Sequence, residues 1–268
     1  MSIRKDMSNA EYHGDLTHLS SSNLKLLLKG PEGIQQFYEE RILKKPREEK
    51  RNTDAFDTGS YVHSVLLEPE TVETDYAIFP DWVKRGKAWD AFKEDNKGKI
   101  ILSKPQKKKI DAMIPYYLNN KTAVDLLKGV EPEVSLFTTI DDVNIKVRAD
   151  ALHEEKGFIV DIKTSGFVID QEEFKATMDK FSYKLSAALY LKAFEESLGK
   201  GLDFYFIVLG KVNLGCEVYK LSHKSRQEGM EEVRKAIKIY KNCLETGDWT
   251  GETETRKLER ENYEILEV

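Results

Sequence analysis

Apolar and polar positions alternate with period two in three consecutive stretches near the middle of the chain. Glu133 to Ile140 and Val143 to Leu152 both read as half-buried strands, separated only by Asp141-Asp142, a pair suited to a tight reversal. A second reversal, His153-Glu154-Glu155-Lys156-Gly157, leads into a third strand, Phe158-Ile159-Val160-Asp161-Ile162-Lys163. Elsewhere the apolar residues recur at helical spacing. Ser20-Ser21-Ser22-Asn23 caps a helix within Leu16 to Leu28 that ends at Gly30-Pro31, and a second helix spans Gly33 to Leu43. A third runs from Thr53 to Leu67 and closes at Glu68-Pro69. Gln106 to Lys128 is helical, as are Gln171 to Lys180 and Tyr183 to Leu198. Strands from Asp203 to Leu209 and Gly215 to Leu221 precede a long amphipathic helix, His223 to Thr246. Lys44 to Arg51 reads as an exposed connection, and the tail beyond Trp249 is acidic and weakly patterned.

This order predicts an α/β fold with a central mixed sheet flanked by helices. A chain of 268 residues can bury a sizeable core as one domain. Its expected parts are a mainly helical segment over 1–130, the sheet core over 131–221, and a C-terminal helix and tail over 222–268.

The strand register carries the chemistry. If both reversals close symmetrically, Asp150 faces Glu133 on one neighbouring strand and Asp161 on the other, with side chains roughly 5 Å apart. Like charges so placed repel, and a multivalent cation resolves the conflict. Lys163, two residues beyond Asp161, points to the same side of the sheet. Aspartate is disfavoured in strands, yet both of these interrupt strongly apolar runs. Such a layout suits metal-dependent phosphodiester hydrolysis. Lys163 would orient or activate the attacking water, stabilise charge on the phosphate, or simply pair with Asp161. His63 shares a helical face with Phe56, Gly59 and Leu66, either as a core histidine or as a ligand, and Gly59 would let that helix approach another backbone.

Composition narrows the partners. A net charge of −5 argues against a general nucleic-acid coat, so positive charge must be concentrated locally. Between Lys84 and Lys109 ten Lys/Arg stand against three acids, interleaved with Trp89 and Phe92 and preceded by Trp82. That stretch is either a solvated helix face or a phosphate-tracking wall with stacking side chains. Cys216 and Cys243 are too few for a disulfide framework or a four-thiolate cluster. No apolar run approaches the roughly 18 residues of a membrane span, and Met1 to Asp6 lacks a signal-peptide core, so a cytoplasmic protein is expected.

Several short motifs converge on one family. They are Met7-Ser8-Asn9-Ala10-Glu11-Tyr12-His13, Ser20-Ser21-Ser22-Asn23-Leu24, Thr58-Gly59-Ser60-Tyr61-Val62-His63, Leu67-Glu68-Pro69-Glu70 and Arg85-Gly86-Lys87-Ala88-Trp89. To these add Arg148-Ala149-Asp150, with Ala149 in place of a proline, and Val160-Asp161-Ile162-Lys163-Thr164. Together they resemble the PD-(D/E)xK nuclease superfamily in its RecB-like branch, and within it the RecE-type exonucleases (exodeoxyribonuclease VIII) of phages and prophages. One departure stands out. The family's Tyr-x-x-Gln-x-x-x-Tyr helix is here Tyr183-Lys184-Leu185-Ser186-Ala187-Ala188-Leu189-Tyr190, with Ser186 at the glutamine position.

The resemblance implies a restriction-endonuclease-like core that digests linear double-stranded DNA from its 5′ ends, releases mononucleotides and leaves a 3′ single strand. It implies one or two Mg²⁺ or Mn²⁺ ions held by His63, Asp150, Asp161 and the Ile162 carbonyl, with Glu133 in or beside that shell. Lys163, Asp161, Asp150 and Glu133 would be catalytic. Arg85, Lys87, Trp89, Ser20, Ser22, Arg148, Tyr183, Ser186 and Tyr190 would contact DNA. It further implies a ring-shaped trimer or tetramer, a single-strand annealing protein as partner, and work inside a bacterial host cell. The rivals are an endonuclease on the same fold and a non-catalytic DNA-binding protein that retains it.

Overall fold

Asp141 and Asp142 both adopt positive φ, 47° and 60°, and close a two-residue hairpin in which Ile140 pairs with Val143. Consecutive left-handed residues twist the turn in the sense that strands require, and Asp tolerates that conformation better than most residues. The computed structural model describes residues 2–5, 7–45, 54–166 and 169–251. Most of the expected Lys44 to Arg51 connection and of the acidic tail lies outside the described residues.

The first half contains β1 (Ser2–Arg4), α1 (Asn9–Gly14), α2 (Ser21–Leu27), α3 (Pro31–Phe37), α4 (Asp54–Leu67), α5 (Val72–Asp75), β2 (Tyr76–Phe79), α6 (Gly86–Asp95), β3 (Ile100–Ser103), α7 (Lys104–Asn119) and α8 (Lys121–Leu127). There follow β4 (Glu131–Ile140), β5 (Val143–His153), β6 (Phe158–Ser165), α9 (Gln171–Lys180), α10 (Tyr183–Leu198), β7 (Asp203–Gly210), β8 (Cys216–Lys220) and α11 (His223–Thr246). A π-helical turn, Tyr38–Ile42, continues α3. The expected Gln106 to Lys128 helix is therefore two. Asn120 caps the second of them, accepting from the Ala123 amide at 3.1 Å, and so ends the first.

Six strands form one sheet in the order β1-β4-β5-β6-β7-β8, and β2 and β3 form a small parallel pair apart from it. Only β6 and β7 run parallel within the large sheet, which is therefore mixed. A parallel pair needs a crossover, and α9 and α10 supply it. The sheet is buried on both faces. One face packs Leu24, Leu27, Phe37, Phe194 and Val233 from α2, α3, α10 and α11. The other packs Tyr61, Val62, Ile110, Met113 and Ala123 from α4, α7 and α8. Phe194 is fully buried, and truncating such a side chain to alanine costs about 3–5 kcal/mol.

Alternation fails at one place, and the site forms there. Residues two apart in a strand face the same side, yet Ala149 packs in the first cluster and Ala151 in the second. The break falls on Asp150. Across from it, between the pairs Pro132↔Ala151 and Val134↔Ala149, stands Glu133 with φ at 50°. On the other side the β5–β6 ladder stops at Ala151↔Val160, so the strands part just before Asp150 and Asp161 would pair.

Candidate active site

Where β5 and β6 part, a side chain takes over from the ladder. Asp150 Oδ2 accepts the Ile162 amide at 2.8 Å, satisfying a donor that β5 no longer reaches. The ladders on either side run in the register that would set Asp150 opposite Glu133 and Asp161, but neither pair forms. Of the three carboxyl groups, those of Glu133 and Asp150 come together, and that of Asp161 pairs with Lys163. From the other side of the sheet α4 brings His63, whose Nε2 lies 2.8 Å from the Ile162 carbonyl oxygen and whose Nδ1 lies 3.6 Å from Asp150 Oδ2. Gly59 faces Thr164, but a Cβ there would sit 3.7 Å from Oγ1, an ordinary contact, so the expected steric need for glycine is absent. Phe56, placed on the same face as His63 from the sequence, is 62% exposed.

His63, Glu133 and Asp150 each offer one ligand atom within 4.8 Å of the others, and all three are part-buried. Ligands 2.0–2.1 Å from an octahedral ion stand roughly 3–4 Å apart, so a small closure fits this set to a divalent cation. Two carboxylates and an imidazole are hard-to-borderline donors, suited to Mn²⁺ as well as Mg²⁺. Asp161 stands beside the three rather than among them, with its carboxylate in an ion pair with Lys163. The Ile162 carbonyl, expected as a ligand, accepts a hydrogen bond from the His63 ring.

Electrostatics follow from this crowding. Burial, and next the Asp150 charge, push the Glu133 carboxyl up to about 7, against the pull of Arg148 and His63. Burial also raises Asp161, with Lys163 opposing and Asp150 adding to the shift. For Lys163 burial acts downward, but Asp161 and Asp150 outweigh it and hold the ammonium above its ordinary value.

The remaining site residues divide into engaged and free. Arg148, expected on DNA, spends its guanidinium within the protein. Its Nε lies 3.3 Å from Glu133 Oε2, its Nη1 2.7 Å from Asn9 Oδ1, its Nη2 meets the Met7 carbonyl, and the group sits 5.1 Å from the Tyr12 ring centroid. Ser20 caps α2 and bonds Asn23 Oδ1 through its amide at 3.0 Å and its hydroxyl at 3.1 Å, whereas Ser22 is exposed. Tyr190 is held well above the ordinary tyrosine value by burial, with Tyr12, Asp161 and Asp150 close by, and Ser21 bonds its hydroxyl. The Lys163 ammonium lies 5.2 Å from the Tyr183 ring centroid. Ser186, one turn along α10, is partly exposed.

Arg85 and Lys87 open α6 with exposed side chains. Trp89 is not a free stacking platform, because it packs edge-on against Phe79 at 5.2 Å between Lys84 and Lys93. Trp82, 70% exposed, is the open indole of that stretch. Tyr12 and Ser21 fall within motifs quoted above but are not among the expected site residues. Tyr12 lies in an unremarkable polar helix, and Ser21 is hidden in a run of three serines.

A mixed, helix-flanked sheet with acids and a lysine gathered where two central strands diverge defines a PDDEXK-like domain. Over residues 20–262 the sequence matches the family described as "PDDEXK-like domain of unknown function (DUF3799)", and the chain belongs to that family. The fold is also that of a crystal structure from Eubacterium rectale described as a "Putative exonuclease". That chain is 17% identical, with a TM-score of 0.65 over 98% of this chain and 96% of the other. A crystal structure of SSO0001 is 16% identical and covers 66% of this chain and 85% of its own, but its TM-score is only 0.28. None of the curated proteins matches the chain.

Proposed function

We propose that this protein is a divalent-metal-dependent deoxyribonuclease that degrades linear double-stranded DNA from its 5′ ends. The observation that carries the hydrolytic part is the grouping of His63, Glu133 and Asp150 beside the Asp161–Lys163 pair. His63, Glu133 and Asp150, with Asp161 beside them, would hold Mg²⁺ or Mn²⁺. When bound, the ion supplies Lewis-acid polarisation of the phosphate and favours ionised water at neutral pH.

The protein's own side chains do the rest. Lys163, kept charged by its carboxylates, orients the attacking water and donates hydrogen bonds to the phosphate as charge builds on it. Arg148 fixes Glu133, and the Ile162 carbonyl fixes His63, so the ligands are held before substrate arrives. Arg85 and Lys87 contact backbone phosphates away from the cut. Digestion polarity, a trimeric or tetrameric ring and an annealing partner are further parts of the proposal, drawn from the motif resemblance. Location in the cytoplasm of a phage's bacterial host is another. Among the described residues no helix is long and apolar enough to cross a membrane.

Duplex DNA of one sequence, offered as a linear molecule labelled at either end and as a covalently closed circle, tests the reading. Loss of 5′ label first, with the circle untouched, is expected in Mg²⁺ or Mn²⁺. Cutting of the circle would replace the exonuclease with an endonuclease, and binding without cutting would leave a DNA-binding protein.

A further inference from the structure

Lys25 lies in α2, which packs on the sheet face opposite α4, and none of the roles above uses it. Its side chain is half-buried, with the ammonium 5.5 Å from the Tyr183 ring centroid. The Lys163 ammonium is 5.2 Å from the same centroid. Two cations therefore share one aromatic ring, and only Lys163 has a carboxylate against it. Lys25 makes no ion pair and no hydrogen bond among the described residues. Burial, and then the Lys163 charge, pull its ammonium down to about 8, although Asp161 and Glu232 draw the other way.

An ammonium carries three donors and no acceptor, and leaving it half-buried without an anion is costly. An aliphatic side chain in this leucine-rich helix would avoid the cost. A lysine that merely covers apolar surface keeps its head in water. Lys25 instead turns its head toward Tyr183 and the Lys163 charge, where an arriving anion relieves both desolvation and repulsion.

We propose that Lys25 is a substrate-contacting residue that binds a non-bridging oxygen of the phosphate at, or next to, the bond cut beside Lys163. This rests on the nuclease reading and adds to it a grip from α2, so that the phosphate lies between cations on two different elements. Tyr183 is then a positioning residue whose ring sets the spacing of the two ammonium groups.

The test compares wild type, Lys25→Met and Lys25→Arg on linear duplex. Lys25→Met should lower kcat/KM roughly 10- to 100-fold, the worth of a charge-assisted hydrogen bond, and Lys25→Arg should recover most of it. With Ca²⁺ in place of the catalytic ion, the slope of log affinity against log salt should fall by about 0.9 in Lys25→Met only. Melting temperature should not fall below the wild-type value, since the costly ammonium is gone, and Mn²⁺ affinity should be unchanged, whereas loss of a merely structural lysine would lower the melting temperature. An unchanged slope together with unchanged kcat/KM overturns the assignment. Should Lys25→Met fail to fold, acetylation of wild type decides: Lys25 is modified in the free protein and protected by bound duplex, or the assignment falls. Wild type that neither binds nor cuts duplex removes the nuclease reading as well, whereas an active enzyme indifferent to Lys25→Met removes this inference alone.

Discussion

His63 Nε2 lies 2.8 Å from the Ile162 carbonyl oxygen, so the α4 helix is tied to the β6 backbone between the two residues of the Asp161–Lys163 pair. The other ring nitrogen, Nδ1, lies 3.6 Å from Asp150 Oδ2. A histidine oriented by a backbone carbonyl is a pre-set ligand.

Replacing His63 by alanine should therefore weaken Mn²⁺ binding about 10- to 100-fold while changing stability by only about 1 kcal/mol. Calorimetric titration of the two proteins checks this, and superimposable isotherms would exclude His63 from the ion's shell.

Proton linkage gives a second expectation. Glu133 has an ordinary value of 4.5 and is pushed up to about 7 in the fold, and Asp161 is raised as well. Between those values the folded state binds more protons than the unfolded chain, so this stability is complete below about 4.5 and is lost as pH rises through about 7. The metal-free protein should melt lower at pH 7.5 than at pH 5, and Mn²⁺ should raise the melting temperature more at the higher pH. Melting curves with and without Mn²⁺ at both values read this directly. A stability that climbs over the window, with equal Mn²⁺ shifts, contradicts it.

Arg148 couples the N-terminal segment to Glu133. Substitution by methionine breaks the Glu133 ion pair and the bonds to Asn9 and Met7 at once, and should destabilise the fold by about 2–4 kcal/mol. It also removes a cation that pulls the Glu133 carboxyl down, so Mn²⁺ affinity near pH 7 should fall and recover at higher pH. Denaturant melts and titrations at two pH values separate the effects.

Much of this was legible in the chain. The three central strands, the Asp141-Asp142 reversal and the register of the ladders flanking Asp150 follow from period-two alternation and symmetric turns. What escaped were short pieces. β1, β2 and β3 have three or four residues each, too few for periodicity to show, and α6 was visible only as a charged stretch. The break at Asp150 was hidden because its partner, Glu133, adopts a positive φ that no glycine announces. Arg148 and Trp89 illustrate the limit for side chains, since their types suit DNA while their partners, Glu133 and Phe79, are known only once distant segments meet.

On the proposed nuclease reading, a Lys163 variant separates ion binding from chemistry. Lys163→Met should reduce cleavage of linear duplex by about 10²–10⁴-fold while the protein still binds Mn²⁺. Equal losses of turnover and of ion binding would make Lys163 a structural counter-ion of Asp161 and nothing more.

The central claim is that His63, Glu133 and Asp150 enclose a divalent ion next to Lys163. Crystals soaked in Mn²⁺ and measured near its absorption edge test it most directly. An anomalous peak within bonding distance of those three side chains is the expected result. Its absence, or a peak elsewhere, in protein that still cuts DNA would contradict the account.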